Sequence, residues 1–224
     1  MRTLQEQISL SIVIPTLNAA GTLADCLQRL AGCEIVVADG GSADATVAVA
    51  RGAGATVVEA PRGRGSQLAA GAEPARGEWL LFLHADCRLE AGWREAVRDF
   101  CANEDRAGYF ALALDDKAPA ARRVERLVAW RSRVLGLPYG DQGLLISRRL
   151  YDSAGGYAPI PLMEDVELAR RLGRRRLAPI GATVTASARR YREGGYVARP
   201  LRNLACLGLY FAGVAPRRIA RLYG

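Results

Sequence analysis

Short apolar runs alternate with helical patterns of apolar residues over roughly the first ninety positions of the chain. Four runs have the length of buried strands, and they cover residues 8–14, 34–38, 56–59 and 79–83. Leu23, Leu27 and Leu30 recur at helical spacing before Gly32, and small residues predict a second helix over residues 43–53. This alternation predicts a parallel sheet covered by helices on both faces.

The second half of the chain is less regular. We expect strands over residues 108–114 and 143–147, and helices over residues 118–135 and 163–174. The last of these has acids in its first turn and arginines in its last, which suits the helix dipole. Because no linker divides the chain, we predict one domain over residues 1–224.

Composition excludes several classes of protein. A chain of 224 residues, half of them hydrophobic, can bury a core without covalent cross-links. Its five cysteines are odd in number and never spaced as Cys-x-x-Cys, which argues against a disulfide framework or zinc site and for a reducing compartment. No apolar run reaches about 18 residues, and Pro15 interrupts the N-terminal segment before a signal peptide could form. We therefore expect a cytoplasmic protein.

The net charge of +8 comes almost wholly from arginine, since Lys117 is the single lysine. An anionic partner such as nucleic acid, phosphate or a membrane surface would explain this excess. Replacement of lysine by arginine through genome composition would explain it equally, and for the charge alone we favour this second explanation.

Known phosphate-binding loops are absent from the sequence. There is no GxxxxGK[ST], and GRGSQLAAG at residues 63–71 is only loosely similar to GxGxxG. An aspartyl-phosphate enzyme would need an acid at the position of His84, which is the single histidine. One histidine among several serines also indicates no Ser-His-Asp triad.

Acidic residues follow several predicted strands. They are Asp39, Asp86 and the pair Glu164–Asp165. Each alone has an ordinary explanation as a turn former, a helix cap or a first-turn acid. In open α/β sheets, however, ligands bind beyond the carboxyl ends of the strands. Their order on this scaffold therefore predicts a functional site.

The motifs in this order resemble family 2 glycosyltransferases of the GT-A fold. SIVIPTLNAAGTLADCL looks like the family's opening strand, turn and helix, and EIVVADGGSADAT is similar to its signature (I/V)-(V/I)-V-D-D-G-S-x-D-x-T, with Ala38 replacing the first acid. LLFLHAD takes the place of the strand that ends in Asp-x-Asp, and MEDVELARRL resembles the Glu-Asp motif that carries the catalytic base. The resemblance covers roughly residues 8–180. Together with GDQG at residues 140–143, these motifs look closest to a bacterial branch associated with arsenosugar biosynthesis.

The resemblance implies a GT-A fold, with a mostly parallel central sheet flanked by helices and a C-terminal helical segment. It implies an inverting transfer of one glycosyl unit from a UDP- or GDP-linked sugar to an acceptor hydroxyl. Asp165 would be the general base, with Glu164 beside it, and Asp86 would hold Mg²⁺ or Mn²⁺. A nucleotide-binding half would cover about residues 8–90, an acceptor-binding and catalytic half about 91–200, and a helical tail 201–224.

The resemblance also implies a set of donor contacts. We expect the nucleotide sugar to contact Pro15, Thr16, Asn18, Asp39, Gly41, Ser42, Arg62, Arg64, Gln67, His84, Ala85 and Asp86. Thr16 and Asp39 would recognise the base, with Asp39 accepting from a ring N–H. Arg62 and Arg64 would either meet phosphate oxygens or lie exposed to solvent.

The chain departs from the family pattern at several positions. Ala19 stands where members commonly have Glu, and His84 replaces the first acid of Asp-x-Asp. Metal binding would then rest on Asp86, and we favour a donor contact for His84 over a second ligand. The Gln-x-x-Arg-Trp motif of processive synthases is missing, which favours single transfer. Nearby, Arg190 or Arg192 could meet the diphosphate.

The apolar tail at residues 204–215 precedes Arg217, Arg218 and Arg221. It would form either a membrane-interface helix or a segment that packs on the domain or a second copy of the chain, and we favour packing. A rival sugar-phosphate nucleotidyltransferase would need a glycine-rich basic loop, which PTLNAAGTL does not provide. An arginine-rich nucleic-acid or membrane-surface module would leave the order of acids unexplained, and we expect no nucleic-acid partner.

Overall fold

A computed structural model describes residues 8–223. Residues 1–7 and 224 of the predicted domain lie outside the described residues, and so does the start of the N-terminal segment in which we expect no signal peptide. The strands are β1 (Leu10–Thr16), β2 (Glu34–Asp39), β3 (Thr56–Glu59), β4 (Trp79–Phe82), β5 (Cys87–Leu89), β6 (Ala107–Leu114), β7 (Leu144–Ser147) and β8 (Leu177–Ala186). The helices are α1 (Ala20–Gln28), α2 (Thr46–Gly52), α3 (Arg64–Ala72), α4 (Trp93–Phe100), α5 (Pro119–Trp130), α6 (Arg148–Ser153), α7 (Glu164–Leu172), α8 (Arg189–Gly194), α9 (Ala198–Phe211) and α10 (Pro216–Tyr223).

All eight strands join one sheet in the order β3-β2-β1-β4-β7-β6-β8-β5. The first four strands run parallel, as their continuous apolar runs predict for strands buried on both faces. β6 and β8 are also parallel, whereas β7 pairs antiparallel with β4 and β6, and β5 pairs antiparallel with β8. The α/β architecture with a mostly parallel sheet is therefore confirmed.

The two faces of the sheet have separate apolar cores. Along β1, Ile12 and Ile14 face the core that contains Leu23 of α1. Val13 between them faces the core that contains Leu68 of α3 and Val166 of α7. This alternation fixes the register of β1, because a slip of one residue would exchange its two faces.

Several elements differ from the expectation. The helix predicted over residues 118–135 is α-helical only to Trp130 and continues as a π-helical turn over Arg131–Leu135. Gly136 ends it in the left-handed region with φ 64°. Strands β5 and β8 and helices α6 and α8 were not predicted. In β8, Pro179 and Gly181 interrupt the strand pattern of its sequence.

The C-terminal helices pack on the domain through one face only. Cys206, Leu207 and Ile219 are buried in the core shared with α7. The opposite face of α9 is exposed, and its large apolar residues together with one just before it are Val197, Leu201, Leu204 and Phe211. Within residues 8–223, no helix has both the length and the apolar character needed to cross a bilayer. The expected packing on the domain thus accounts for one face of this segment and leaves the other face exposed.

Candidate active site

The carboxyl ends of β1 and β2 are joined through Asp39. Its Oδ1 accepts hydrogen bonds from Thr16 Oγ1 at 2.9 Å and Ser42 Oγ at 2.5 Å. Its Oδ2 accepts from the backbone N–H groups of Gly41 at 3.0 Å and Ser42 at 2.7 Å. Burial of Asp39 opposes ionisation, but these hydrogen bonds outweigh it and lower the pKa of the carboxyl. Asp39 is therefore a rigid, ionised group at this end of the sheet.

The side chain of Gln67 links the ends of β1 and β2 through hydrogen bonds to their backbone. Its Nε2 donates to the carbonyl oxygens of Thr16 at 2.6 Å and Ala38 at 3.0 Å. A Cβ at Gly40 would come within 3.0 Å of the Gln67 amide, so glycine permits this approach. Gln67 thus braces the predicted base-recognition turn, and its predicted donor contact remains a prediction.

Asn18 adds a second connection between the turns after β1 and β2. Its φ of 51° lies in the left-handed region, which Asn tolerates better than most residues. Its N–H donates to Ser42 Oγ at 2.8 Å, and its Oδ1 accepts from the N–H of Ala43 at 2.9 Å. Asn18 is thus joined to Ser42, which binds Asp39, and Pro15 pairs with Ala38 in the sheet; the donor contacts of Pro15, Asn18, Gly41 and Ser42 remain predictions.

One cavity lies beyond the carboxyl end of β4. Its floor contains Arg64, His84, Asp86 and Asp165, which the sequence had singled out. Further lining residues come from the middle and the end of the chain: Leu114, Tyr139, Gly140, Asp141, Leu162, Met163, Ala186, Ser187, Arg190, Tyr191, Arg199, Asn203 and Tyr223. We use the name Asp39 cluster for the hydrogen-bonded group of Thr16, Asn18, Asp39, Gly41, Ser42 and Gln67. Because β1 lies between β2 and β4, the Asp39 cluster and this cavity are neighbours along the same sheet edge.

Asp165 is presented at the start of α7 by an unusual turn. Met163, just before the helix, has a φ of 67°, which directs the chain sharply into α7. Asp165 Oδ2 accepts from the N–H of Gly140 at 2.9 Å, and Oδ1 accepts from the N–H of Val166 at 2.7 Å. These contacts orient a partly exposed carboxylate that lines the cavity.

Glu164 lies behind the cavity and does not line it. It is 1% exposed, and neither carboxyl oxygen has a hydrogen-bond partner outside its own residue. Glu164 therefore holds no backbone amide of another residue. Arg64 Nη1 lies 3.9 Å from Glu164 Oε1, a long ion pair. Burial and the adjacent Asp165 raise the pKa of Glu164 to about 7.

His84 is half-buried, and its ring packs against the backbone of Gly140. A Cβ at Gly140 would lie 2.5 Å from His84 Nε2, and that nitrogen has no hydrogen-bond partner. Burial and the nearby Arg64 lower the pKa of His84 to about 4, so the ring is neutral at pH 7. The neighbouring Ala85 is buried.

Two arginines from the predicted set lie elsewhere. Arg62 is exposed to solvent and does not line the cavity. Arg192 Nη1 lies 3.5 Å from Asp115 Oδ1, whereas Arg190 lines the cavity. Of the two diphosphate candidates near residue 190, the structure therefore brings only Arg190 to the site.

Sequence reasoning missed part of the cavity wall. Asp141 was quoted only within GDQG, yet it lines the cavity, and burial raises the pKa of its carboxyl. Tyr139 and Tyr191 also line the site. Arg199 and Asn203 lie four residues apart on α9, a spacing that could have shown a shared polar face in an otherwise apolar helix.

The residues around Asp86 fit a divalent ion that brings most of its own ligands. Within the described residues, no group of three or more His, Cys, Asp or Glu side chains forms a ready metal cage. Mg²⁺ is commonly bound by one or two carboxylates together with waters and substrate phosphates. Asp86 offers one such carboxylate at the cavity surface. A site formed jointly with a diphosphate is compatible with this arrangement.

Comparison with solved structures identifies the fold. TarS of Staphylococcus aureus, in complex with UDP, has a TM-score of 0.63 and 16% identity, covering 83% of this chain and 63% of that chain. The mannosyltransferase PcManGT of Pyrobaculum calidifontis, with GDP-Man and Mn²⁺, has a TM-score of 0.65 and 18% identity, covering 90% and 62%. Glucosyl-3-phosphoglycerate synthase of Mycobacterium tuberculosis, with Mn²⁺, UDP and glucosyl-3-phosphoglycerate, has a TM-score of 0.52 and 22% identity, covering 80% and 70%. These likenesses show the GT-A fold.

Sequence comparison gives a consistent result. A PGL/p-HBAD biosynthesis glycosyltransferase of Mycobacterium bovis is 38% identical over 91 residues, which cover 35% of this chain. The match spans 36% of the length of that relative. The profile of Glycosyl transferase family 2 matches residues 11–137, more than half of the 224 residues. The chain therefore belongs to glycosyl transferase family 2.

Proposed function

We propose that this protein transfers a single glycosyl unit from a nucleotide-diphosphate sugar to an acceptor hydroxyl, with inversion and with help from Mg²⁺ or Mn²⁺. One observation carries the proposal: Asp86 and Asp165 line the same cavity. A metal-binding carboxylate and a base on one cavity are what a single displacement requires. The UDP, GDP-Man and Mn²⁺ present in the structural neighbours support this assignment.

In this mechanism Asp165 accepts the proton of the acceptor hydroxyl. The hydroxyl oxygen forms a bond to the anomeric carbon while the bond to the diphosphate breaks on the opposite face. The hydrogen bond from the N–H of Gly140 fixes the carboxylate in position. Asp86 would hold the ion, which supplies positive charge for the departing diphosphate. Arg64, also in the cavity, and Arg190 add positive charge from this chain.

The Asp39 cluster would recognise the base of the donor. Thr16 and Asp39 keep a fixed geometry through hydrogen bonds to the turn after β2. Asp39 already accepts four hydrogen bonds, so a base ring N–H would take the place of one of them, such as that from the Ser42 hydroxyl. We accordingly assign residues 8–90 to donor binding and residues 91–200 to the acceptor and base, and we keep Glu164 as a residue that supports Asp165. His84, which is neutral, half-buried and part of the cavity lining, would contact the donor.

Further details of the function belong to the same proposal. The absence of a Gln-x-x-Arg-Trp motif favours single transfer over processive synthesis. His-Ala-Asp, GDQG and PLMEDVEL favour the arsenosugar-associated branch of the family. The cysteines in the described residues are all free, which supports a reducing, cytoplasmic location.

We also propose that α9 and α10 contact an anionic membrane surface peripherally. The exposed apolar face of α9 includes Leu201 and Leu204, at 59% and 62% exposure. Residues 195–223 contain five arginines and no Asp or Glu. An isologous dimer through this face would bring like charges together, whereas an anionic bilayer complements them. A second copy of the chain is the alternative occupant.

A nucleotide panel tests the main proposal. Calorimetry with UDP, GDP, ADP and CDP, each with and without Mn²⁺, should show metal-assisted binding of at least one nucleotide. Failure of every nucleotide to bind under either condition would contradict a donor site. Asp86→Asn should reduce the part of the affinity that depends on Mn²⁺ and leave metal-independent binding nearly unchanged. Asp152→Asn, an exposed position on α6, is the matched control.

A further inference from the structure

Two arginines that line the cavity have no acidic partner. Arg190 is at the start of α8, and Arg199 is in the first turn of α9. Within residues 8–223, neither forms an ion pair, whereas Arg64 in the same cavity lies against Glu164. Guanidinium groups left unpaired at a cavity are suited to an anionic ligand.

Arg199 is held in place by an aromatic ring. Its Cζ lies 4.4 Å from the centroid of Tyr223, and the arginine is half-buried. Stacking of this kind orders the guanidinium and leaves its N–H donors free at the ring edge. The side chain is therefore preorganised without being neutralised.

Asn203 supplies a second unsatisfied group on the same face of α9. It lies one turn after Arg199, so both side chains face the cavity. Its Oδ1 is buried and has no hydrogen-bond partner. Buried amide oxygens are nearly always hydrogen-bonded, so this one indicates a missing donor. A ligand hydroxyl would provide it.

The acidic and basic residues that line the cavity come from different parts of the chain. The acids that line it, Asp86, Asp141 and Asp165, come from the sheet edge and the start of α7. Residues 195–223, which supply Arg199, contain no acid. The backbone N–H of Ser187, three residues before Arg190, donates to the carbonyl oxygen of Asp86 at 3.2 Å, which places Arg190 on the side of Asp86 and the proposed diphosphate. Arg199 is then left for a different anion.

We infer that Arg199 and Asn203 form a subsite for an anionic group of the acceptor, a carboxylate or phosphate on a small hydroxylated molecule. This inference rests on the proposed glycosyl transfer. Asp165 binds the reacting hydroxyl, Arg199 binds the anionic group, and Asn203 accepts from a neighbouring hydroxyl. The acceptor is thus positioned at both ends before it attacks.

Calorimetry with the full chain, UDP and Mn²⁺ tests the subsite. The probes are 3-phosphoglycerate, glycerate and glycerol, which share hydroxyl groups and differ in charge. The two anions should bind at millimolar concentration or below, and glycerol should not bind. Glycerate has only a carboxylate, whereas 3-phosphoglycerate has a carboxylate and a phosphate, so comparing their affinities shows whether the phosphate is preferred. Arg199→Gln should weaken binding of the preferred anion about tenfold to a hundredfold. Arg202→Gln, an exposed arginine of the same helix outside the cavity, should leave it unchanged.

Asn203→Asp gives a second measurement, because a carboxylate beside Arg199 should reduce anion binding by a similar factor without removing the arginine. Equal binding of glycerol and the anions, no binding of either anion, or equal affinities of R199Q and R202Q would overturn the subsite. UDP binding is read in the same titrations. If the protein binds no nucleotide but binds anions through Arg199, the transferase proposal fails and the subsite stands. If UDP binds but Arg199→Gln does not change anion binding, the subsite is wrong and the transferase proposal stands.

Discussion

The backbone N–H of Gly140 donates a hydrogen bond to Oδ2 of Asp165 across 2.9 Å. The same glycine lies under His84, whose Nε2 would be 2.5 Å from any Cβ at this position. The short turn Gly140–Gln142 therefore contacts both His84, two residues beyond β4, and Asp165, the proposed base. The close approach of His84 needs glycine at position 140, because any Cβ there would collide with the imidazole ring.

Gly140→Ala should lower turnover by about a hundredfold, because the added methyl group displaces either His84 or the backbone that holds Asp165. The measurement is steady-state transfer with the donor identified by the nucleotide panel. Gly52→Ala, in α2 with no atom within 4 Å of the new Cβ, is the control and should retain activity. Full activity in G140A would show that this contact does not position Asp165.

Asp165→Asn should reduce transfer by about 10²–10⁴-fold while nucleotide affinity stays within a factor of about two. The amide keeps the shape of the side chain but cannot accept the hydroxyl proton. Transfer assays and calorimetry on the same preparation separate the two effects. Turnover that survives in D165N would place the base on another residue, with Asp141 the first candidate because it lines the same cavity.

Glu164 should make the protein less stable as pH rises. Its pKa is raised from 4.5 to about 7 in the folded chain, so between these values the native state binds more protons than the unfolded state. Stability therefore falls as pH increases through this window and levels off above pH 7. The loss amounts to roughly 3 kcal/mol, since one pKa unit corresponds to about 1.4 kcal/mol.

Glu164→Gln removes this dependence, because the amide is neutral at every pH. Urea unfolding at pH 5 and pH 8 should show E164Q close to the unmodified protein at pH 5 and more stable at pH 8. Glu95→Gln, an exposed position on α4, should change neither value appreciably. If the difference in unfolding free energy between E164Q and the unmodified protein is the same at pH 5 and pH 8, the pKa of Glu164 is not raised.

Leu201→Asp should abolish binding to vesicles that contain anionic phosphatidylglycerol. The substitution places a charge in the middle of the exposed apolar face of α9. Leu127→Asp on α5 is the matched control, since both leucines are 59% exposed. Sedimentation with phosphatidylglycerol–phosphatidylcholine vesicles, compared with phosphatidylcholine alone, gives the readout. If the protein binds neither kind of vesicle and forms dimers that L201D disrupts, the exposed face of α9 contacts a second copy of the chain instead.

The parallel half of the fold was predictable because its strands are continuous apolar runs that end at polar turns. Asp39 and Asp86 follow such runs directly, so their place at the sheet edge followed from the pattern. β8 was not predictable, since Pro179 and Gly181 occupy its middle. Its pairing with β6 depends on contacts between distant segments, to which local propensity does not respond.

The site was predictable where a residue acts through its local motif. Asp165 and Thr16 belong to such motifs. Arg199 and Asn203 lie in an apolar helix, and only its packing across the cavity turns their face inward. Glu164 shows the reverse case: the motif predicted it, but burial placed it behind the cavity.

The residues that line the cavity extend from Arg64 to Tyr223. The Asp39 cluster, in contrast, is complete within residues 16–67. During synthesis, at about 5–20 residues per second, every residue of the Asp39 cluster has been translated while more than half of the chain has not. The cavity can close only after α10 has left the ribosome. A nascent chain stopped within α9 would therefore carry the Asp39 cluster beside an open, incomplete cavity.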